Sequence, residues 1–261
     1  MSARPDAMKI SACVTAGNEE DKIAECLKAL AWCDEVIVVD SYSKDRTFEI
    51  SKQYATKAVQ HPWEGYIGQK NYIRSLASCP WILFVDADEV VSPDLREEIE
   101  TLFATEHEDA AGYQIPRMVH YLGRWIRHGE WYPDRKLRLF RKDKGHSGGE
   151  EPHDRVVVDG PVKNLRHPLY HYTYDDVADH LNTINRFSTI SANAKIAKGA
   201  RHHWSNLLLR PLWRFFRSYF LKLGFLDGGP GLLVAIFASY GVFCKYAKIY
   251  EAQKNAGRGK R

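Results

Sequence analysis

The stretch "WILFVDADE", Trp81 to Glu89, leads from apolar residues directly into a group of acids. Its first five residues predict a buried strand, and the acids fall at the carboxyl end of that strand. If the strand continues through them, Asp86 and Asp88 point to one side, roughly 6–7 Å apart. Two such carboxylates repel each other unless a cation lies between them, and a divalent ion meets that need. The alternative is an acidic cap on the next helix, formed by residues such as Glu89 or Asp94.

Strand-like and helix-like segments alternate before this stretch. Buried strands are predicted at residues 9–15, 34–40 and 57–62, with amphipathic helices between them. Regular alternation predicts an α/β protein with a mostly parallel sheet flanked by helices. Ligands bind such sheets beyond the carboxyl ends of the strands. Because Asp40 and Asp86 both end strands, we expect them to face one crevice.

The regular alternation ends after residue 110. Residues 111–200 contain short strands, many aromatic residues and then a helix, which predict a small antiparallel β-region. Residues 201–261 are helical in pattern and form a C-terminal appendage rich in aromatic and basic residues. We therefore expect one domain over residues 1–200, with halves at about 9–110 and 111–200, followed by the appendage.

Composition limits the partners and the compartment. The 261 residues are 44% hydrophobic and 27% charged, which is typical of a folded globular protein. The five cysteines are scattered without CxxC spacing, and no apolar signal segment opens the chain, so we expect a cytoplasmic protein with reduced thiols. From Arg201 to Lys222 there are five Arg or Lys, two His and no acid. This excess favours phosphates or an anionic membrane surface over nucleic acid.

Two common phosphate-binding motifs are absent from the sequence. Neither G-x-G-x-x-G after the first strand nor G-x-x-x-x-G-K-[ST] occurs, which argues against dinucleotide enzymes and P-loop phosphotransferases. Instead "VTAGNEE", "EVIVVDSYSKDRT", "GQKN" and "ILFVDADE" follow one another. In this order and spacing they resemble the inverting family 2 glycosyltransferases with the GT-A fold. The segments from "PDRKLRLFRK" onward resemble the subgroup of small glucosyltransferases that extend the inner core of lipopolysaccharide.

The resemblance implies a nucleotide-sugar pocket along the ends of the strands and the third helix. Its predicted residues are Thr15, Asn18, Glu19, Asp40, Lys70 and Asp86. Asp88 would ligate a divalent cation, Mn or Mg, directly, while Asp86 would approach the ribose or a metal-bound water. His171 is a weaker candidate for a further metal ligand. For Asp40, a helix-capping role is the alternative.

Inversion of the sugar configuration needs a base that deprotonates the acceptor hydroxyl. The candidates in "GGEEPHDR" are Glu150, Glu151, His153 and Asp154. The family's H-E pair stands here as His153-Asp154, which favours Asp154 as the catalytic base, with Glu151 next. A solvated acidic turn is the alternative.

Basic residues alternate with apolar ones in "DRKLRLFRK". Lys136 and Arg138 are predicted on one side of a strand, where they could clamp the donor diphosphate or an acceptor phosphate. The alternative is a basic strand edge that only prevents aggregation.

The C-terminal helices suggest attachment to a membrane surface. The apolar run 231–244 has 14 residues, short of the roughly 20 that a spanning helix needs. The preceding segment, 207–225, mixes aromatic residues with cations, as interfacial helices do. We therefore expect a peripheral protein on the inner face of the cytoplasmic membrane. The alternative is an ordinary amphipathic helix packed on the catalytic domain.

The combined prediction is a metal-dependent inverting glycosyltransferase. It would move a hexose from a nucleotide-sugar to a lipopolysaccharide-core or other glycolipid acceptor, with glucose and UDP favoured by the subgroup resemblance. One alternative is a sugar nucleotidyltransferase, although "TAGNEED" is not the Gly-rich loop such enzymes need. The other is a catalytically inactive, membrane-associated partner protein of the same fold.

Overall fold

The computed structural model describes residues 6–104, 109–150 and 153–258. Within these ranges the strands are β1 Ile10–Ala16, β2 Glu35–Asp40, β3 Lys57–Gln60, β4 Trp81–Asp86, β5 Glu89–Val91, β6 Gly112–Tyr121, β7 Arg124–Trp125, β8 Asp134–Arg141, β9 Gly145–Glu150, β10 His153–Val158, β11 Val162–Asn164 and β12 Leu169–His171. The helices are α1 Ile23–Lys28, α2 Thr47–Tyr54, α3 Gly65–Leu76, α4 Pro93–Ala104, α5 Val177–Ala197, α6 Trp204–Phe216 and α7 Gly228–Arg258. The predicted order of elements is therefore present through the first ninety residues.

The centre of the sheet is parallel. Strand β1 lies between β2 and β4, β3 extends the parallel part beyond β2, and β8 pairs antiparallel with β4. The full order is β3-β2-β1-β4-β8-β6-β12-β5, and β9 and β10 form a separate antiparallel pair. The predicted fold class, a mostly parallel GT-A-type sheet flanked by helices with a small antiparallel region and a C-terminal helical part, is confirmed.

Both faces of the central strands are buried. Val14 and Val38 point to the face covered by α1 and α4, whereas Cys13 and Ile37 point to the opposite face, covered by α3. All four side chains are at most 1% exposed. Because side chains alternate along a strand, a strand covered on both faces must be apolar at nearly every position. The runs in β1, β2 and β4 satisfy this condition.

The end of β4 differs from the prediction. The strand ends at Asp86, and Asp88 lies in the turn before β5, so the two carboxylates do not share one strand face. The turn is closed by a hydrogen bond in which the backbone N–H of Asp86 donates to Glu89 Oε2 over 3.0 Å. The expectation that Asp86 and Asp88 point to one side of a continuous strand was therefore wrong.

The chain divides into two compact units. The first contains the residues up to Arg117 together with Arg135–His171, and the second contains Met118–Asp134 and the residues from Tyr172 onward. The second unit thus includes α5 as well as α6 and α7, so its boundary differs from the one expected at residue 200. Within it, α5 and α6 both pack on α7 through a buried cluster that includes Ala192, Leu207 and Ile249.

Helix α7 is longer than the apolar run that it contains. In the part of the chain that the structure describes, the helical segment Gly224–Asn255 has the length and composition to cross a membrane. Its most apolar window of 18 residues has a mean hydropathy of 1.5, and 22% of that window is buried. One such helix is weak evidence for a spanning segment, because apolar helices in soluble proteins meet the same criteria.

Candidate active site

The carboxyl ends of the central strands bring three predicted residues to one edge of the sheet. Thr15 is the register partner of Asp86 on β4, and Ala16 is the partner of Asp40 on β2. Asp40 is fully buried and accepts hydrogen bonds from the backbone N–H of Ser43 at 3.0 Å and from Gln60 at 2.9 Å. Its carboxylate therefore organises the loop after β2. The predicted contact of Asp40 with a nucleotide stays a prediction.

The loop after β1 is tied to the loop after β2. The backbone N–H of Asn18 donates to Ser43 Oγ at 2.8 Å, and the backbone N–H of Lys44 donates to Asn18 Oδ1 at 2.9 Å. Asn18 has a φ of +57°, a left-handed conformation that asparagine tolerates better than most residues. The backbone N–H of Glu19 donates to Thr47 Oγ1 at 2.7 Å. Asn18 and Glu19 thus form part of one fixed rim at the strand ends.

Asp86 lies between two cations. Its Oδ2 accepts from Arg138 Nη2 at 2.5 Å, and its Oδ1 lies 3.4 Å from Lys70 Nζ. Burial alone would raise the pKa of the Asp86 carboxyl, but Arg138 and then Lys70 hold that pKa well below its ordinary value. Lys70 also donates to Asp154 Oδ2 at 2.9 Å. The predicted residues Asp86, Lys70, Arg138 and Asp154 are therefore joined in one network.

Glu89 extends this network and was not predicted as a functional residue. It is fully buried, and its Oε1 lies 2.7 Å from Arg138 Nη2 and 3.3 Å from Arg117 Nη1. Burial opposes the charge on Arg138, but Asp86 and Glu89 together raise the pKa of its guanidinium above the ordinary value. The only signal in the sequence was an acid directly after the D-x-D pair, which a helix cap explains equally well.

Arg138 and Lys136 differ in exposure. Arg138 is 5% exposed and is committed to two carboxylates, while Lys136 is exposed, although both lie on β8. The prediction that Lys136 and Arg138 project to one side of the strand and clamp phosphate oxygens stays a prediction. A direct contact of Arg138 with a diphosphate stays a prediction.

Asp88 faces a histidine from a distant part of the chain. His171 Nε2 lies 3.0 Å from Asp88 Oδ2, and the side chains are 11% and 21% exposed respectively. Strand β12 brings His171 there by pairing antiparallel with β5, where its register partner is Glu89. The Nδ1 atom of His171 is buried without a hydrogen-bond partner among the described residues. Two of the three predicted metal ligands thus lie side by side.

The donor set suits a cation that takes further ligands from its substrate. No group of three or more His, Cys, Asp or Glu side chains within residues 6–104, 109–150 and 153–258 is arranged to hold a metal. The protein offers the pair Asp88 and His171, while Asp86 is held by Arg138 and Lys70. Mg²⁺ is commonly bound by one or two carboxylates, with substrate phosphates and water completing the shell. Asp88 fits such a site as its carboxylate, and the imidazole of His171 suits a transition metal such as Mn²⁺ better than Mg²⁺. Asp86 as a metal ligand stays a prediction.

The candidate base is held against α3. Asp154 lies on β10 opposite Gly149 of β9 and bonds Lys70 on α3. Asn71, the next residue of α3, exchanges two hydrogen bonds of 2.9 and 3.0 Å with the backbone of Ser147 on β9. These two hydrogen bonds hold the β9–β10 pair beside α3 and so position Asp154 near Asp86. Glu151, the second predicted base, lies outside the described residues.

A mostly parallel sheet with an acidic carboxyl edge and a separate antiparallel pair is the architecture expected for the GT-A fold of glycosyltransferases. Residues 11–165 match the profile of "Glycosyl transferase family 2", which covers more than half of the chain. The chain belongs to this family and is a glycosyltransferase.

Similar proteins extend the match over nearly the whole chain. An uncharacterised glycosyltransferase of Rickettsia typhi is 30% identical, over 93% of this chain and 87% of the relative. The lipopolysaccharide core biosynthesis glycosyltransferase LpsC of Rhizobium meliloti is also 30% identical, over 94% and 93%. Among solved structures, residues 1–349 of S. aureus TarS in complex with UDP-GlcNAc superimpose with a TM-score of 0.51, covering 95% of this chain and 92% of that one. At 16% identity this likeness shows the fold alone.

Proposed function

We propose that this glycosyltransferase moves a hexose, with inversion and with the help of a divalent cation, from a UDP-sugar to a lipopolysaccharide-core or other glycolipid acceptor. The observation that carries the proposal is the pair Asp88 and His171 beside the network of Asp86 at one sheet edge. UDP is supported by the bound donor of TarS, and the acceptor by the pathway in the name of LpsC. Glucose is favoured by the resemblance to inner-core glucosyltransferases.

On the donor side, Asp88 and His171 would hold Mn²⁺ or Mg²⁺ against the diphosphate. The cation, when bound, would neutralise charge on the departing nucleotide. Thr15, Asn18 and the carboxylate of Asp40 lie at the edge where a nucleotide would rest. The low pKa of Asp86 keeps its carboxylate ionised at neutral pH, so it is an acceptor for a ribose hydroxyl or a metal-bound water.

On the acceptor side, Asp154 is the proposed base. Its carboxylate would accept the proton of the acceptor hydroxyl as the new glycosidic bond forms and the bond from the sugar to the nucleotide breaks. Lys70 holds this carboxylate through a contact of 2.9 Å and also lies 3.4 Å from Asp86. Lys70 would thus fix the distance between the base and the donor. Glu151 is the alternative base.

The test is a panel of UDP-, GDP- and ADP-sugars, assayed for transfer to a purified lipopolysaccharide-core acceptor. We expect transfer from a UDP-hexose in the presence of MnCl₂ or MgCl₂, loss of transfer in EDTA, and a product of inverted anomeric configuration. Transfer that EDTA leaves unchanged would contradict the metal dependence. A product of retained configuration would rule out a single displacement with Asp154 as base.

We also propose that the second unit attaches the enzyme to the inner face of the cytoplasmic membrane. Its support is a large apolar surface on α6 and on the short π-helix Arg217–Leu221 that follows it. The side chains, 45–67% exposed, are Leu208, Leu209, Leu212, Trp213, Phe216, Phe220 and Leu221. An apolar patch of this kind is typical of a surface that binds a membrane or a partner.

The cations beside this surface are engaged within the protein. Arg214, Arg217 and Lys222 all lie 3.3–3.5 Å from the carboxylate of Glu130, whose side chain is 8% exposed. The expected attraction of free cations to anionic lipid is therefore a smaller part of the proposal than the apolar side chains. Extraction separates the two modes of attachment: alkaline carbonate should release a peripheral enzyme, whereas an enzyme spanning the membrane through α7 would need detergent.

A further inference from the structure

The second unit contains a cavity whose lining includes none of the residues assigned above to the transfer reaction. It has a volume of about 280 Å³ and lies among α5, α6, α7 and the segment around Trp131. Aromatic rings form one part of its lining, and Arg214 and Lys245 contribute positive charge to it. Among the described residues that line it, none is acidic, while two serines, Ser188 and Ser191, supply hydroxyls. This composition suits a ligand with one apolar face and one negative group.

The aromatic part of the lining is closely packed. Tyr174 stacks on His180 at 4.2 Å between ring centroids, and Trp131 lies 5.3 Å from the same histidine. Burial lowers the pKa of His180 to about 4, so its ring is neutral at neutral pH. The Nδ1 atom of His180 lies 2.9 Å from the hydroxyl of Tyr121, which fixes the ring. The cavity therefore has a rigid, uncharged wall on which the C–H face of a sugar ring can pack.

Positive charge exceeds negative charge around this part of the lining, counted over the residues that the structure describes. Burial, followed by the neighbouring charges of Lys195, Arg210 and Arg214, lowers the pKa of Lys245. Arg214 forms an ion pair with Glu130, and the same carboxylate also pairs with Arg217 and Lys222. One negative charge is therefore shared among three cations.

We propose that this cavity binds an acidic sugar residue, with its phosphate or carboxylate against Arg214 and Lys245 and its ring against Trp131 and Tyr174. The volume lies just below the usual range of about 300–1,000 Å³ for small-molecule sites, so it suits one sugar unit rather than an oligosaccharide. The site is made wholly by the second unit, and the proposal does not rest on the donor or acceptor proposed above.

Calorimetric titration with glucose 6-phosphate and with glucose tests the proposal. We expect the sugar phosphate to bind the native protein and neutral glucose to bind at least tenfold more weakly. Lys245→Gln should lower the affinity for the sugar phosphate by about tenfold, since a charge-assisted hydrogen bond is lost. The matched control is Lys254→Gln, which removes a charge from the same helix at an exposed position outside the cavity lining and should change the affinity by less than twofold. Equal binding of the acidic ligand by the native protein and by Lys245→Gln would overturn the proposal, as would a failure to bind both glucose 6-phosphate and the lipid-borne sugar phosphate of the vesicle experiment below.

Folding and site identity have their own controls. Lys245→Gln should keep or raise the melting temperature, because the native Lys245 is crowded by like charges. Asp88→Asn, at the donor edge, should leave the affinity for glucose 6-phosphate unchanged. Loss of sugar phosphate binding in Asp88→Asn would place that binding at the donor site and overturn the proposal. Failure of this inference is therefore distinct from failure of the proposed transfer.

A further arm separates a soluble ligand from a lipid-borne one. Phosphatidylcholine vesicles with and without phosphorylated lipid A present the same phosphate-and-sugar chemistry on a membrane. Binding that depends on lipid A and falls in Lys245→Gln assigns the site to a lipid-borne sugar, whereas an effect confined to glucose 6-phosphate assigns it to a soluble one. Both results support an acidic-sugar site. Insensitivity of both ligands to Lys245→Gln overturns it.

Discussion

The carboxyl edge of the sheet and the α6–α7 region handle buried charge in opposite ways. At the edge, three acids and three cations alternate along a chain of ion pairs. In order, these residues are Asp154, Lys70, Asp86, Arg138, Glu89 and Arg117. In the second unit, one acid, Glu130, serves three cations, and large apolar side chains lie exposed beside them. The balanced network fixes geometry without help from outside. The unbalanced cluster and its apolar surface gain from an external partner.

The balanced network can be broken at its most buried member. Glu89→Gln leaves the guanidinium of Arg138 with one carboxylate and removes the charge that Arg117 faces. Removing one partner of a buried ion pair costs about 3–5 kcal/mol, so we expect a loss of that size in the free energy of unfolding. Urea denaturation measures it. Glu97→Gln, an exposed acid on α4, should change stability by less than about 0.5 kcal/mol. Equal effects of the two substitutions would contradict a network that depends on Glu89.

The second unit should respond to acid through His180. Burial lowers its pKa from 6.5 to about 4, so between these values the unfolded chain binds a proton that the native chain does not. Stability should therefore fall as the pH is lowered through this window, by up to about 3 kcal/mol. Urea denaturation at several pH values should show a steeper loss in the native protein than in His180→Phe. His203→Phe, at an exposed histidine, should keep the native slope. If His180→Phe has the native slope as well, His180 does not titrate in this way.

A substitution at Asp154 tests its role as the base separately from its contact with Lys70. Asp154→Asn keeps a group that Lys70 can bond but removes the proton acceptor, so kcat should fall by roughly 10²-fold or more while UDP binding is preserved. Steady-state kinetics and calorimetry measure these two quantities. Asp159→Asn, an exposed acid just after β10, should retain native kinetics. If Glu151→Gln shows the loss and Asp154→Asn does not, the base is Glu151.

The apolar surface of α6 should govern membrane affinity. Replacing Leu212 and Trp213 by Ser removes side chains that are 67% and 57% exposed. Burying such a side chain contributes about 1.5–3 kcal/mol, so binding to phosphatidylglycerol vesicles should weaken about tenfold or more. The matched control replaces Leu181 and Ile190, two exposed apolar residues of α5, by Ser. An equal loss in this control would argue against a specific role for α6.

The sequence was sufficient for the central sheet because local patterns determine it. The apolar runs of β1, β2 and β4 and the turns between them specify parallel strands, and parallel strands bring Asp40 and Asp86 to one edge. The pairing of His171 with Asp88 joins residues 83 positions apart, and the sequence offered His171 only as a further ligand of the cation.

What the sequence did not reveal are contacts that depend on the fold at long range. Nothing local distinguishes Glu89 from a helix cap, since its partner Arg138 is 49 residues away. The same limit applies to the cations of α6. Their segment contains no acid, so they were expected to face lipid, but the fold brings Glu130 to Arg214 and Arg217. The D-x-D spacing likewise suggested that Asp86 and Asp88 share one strand face. The strand instead ends at Asp86, in a turn that is closed by the side chain of Glu89.

The most direct test of the donor site is the affinity for UDP, measured by calorimetry with and without MnCl₂. The native protein should bind UDP at least tenfold more tightly with Mn²⁺, because the cation joins the diphosphate to Asp88 and His171. Asp88→Asn should lose this difference, and Asp94→Asn, an exposed acid on α4, should keep it. A native affinity that Mn²⁺ does not change, or a full Mn²⁺ effect in Asp88→Asn, would contradict the proposed site.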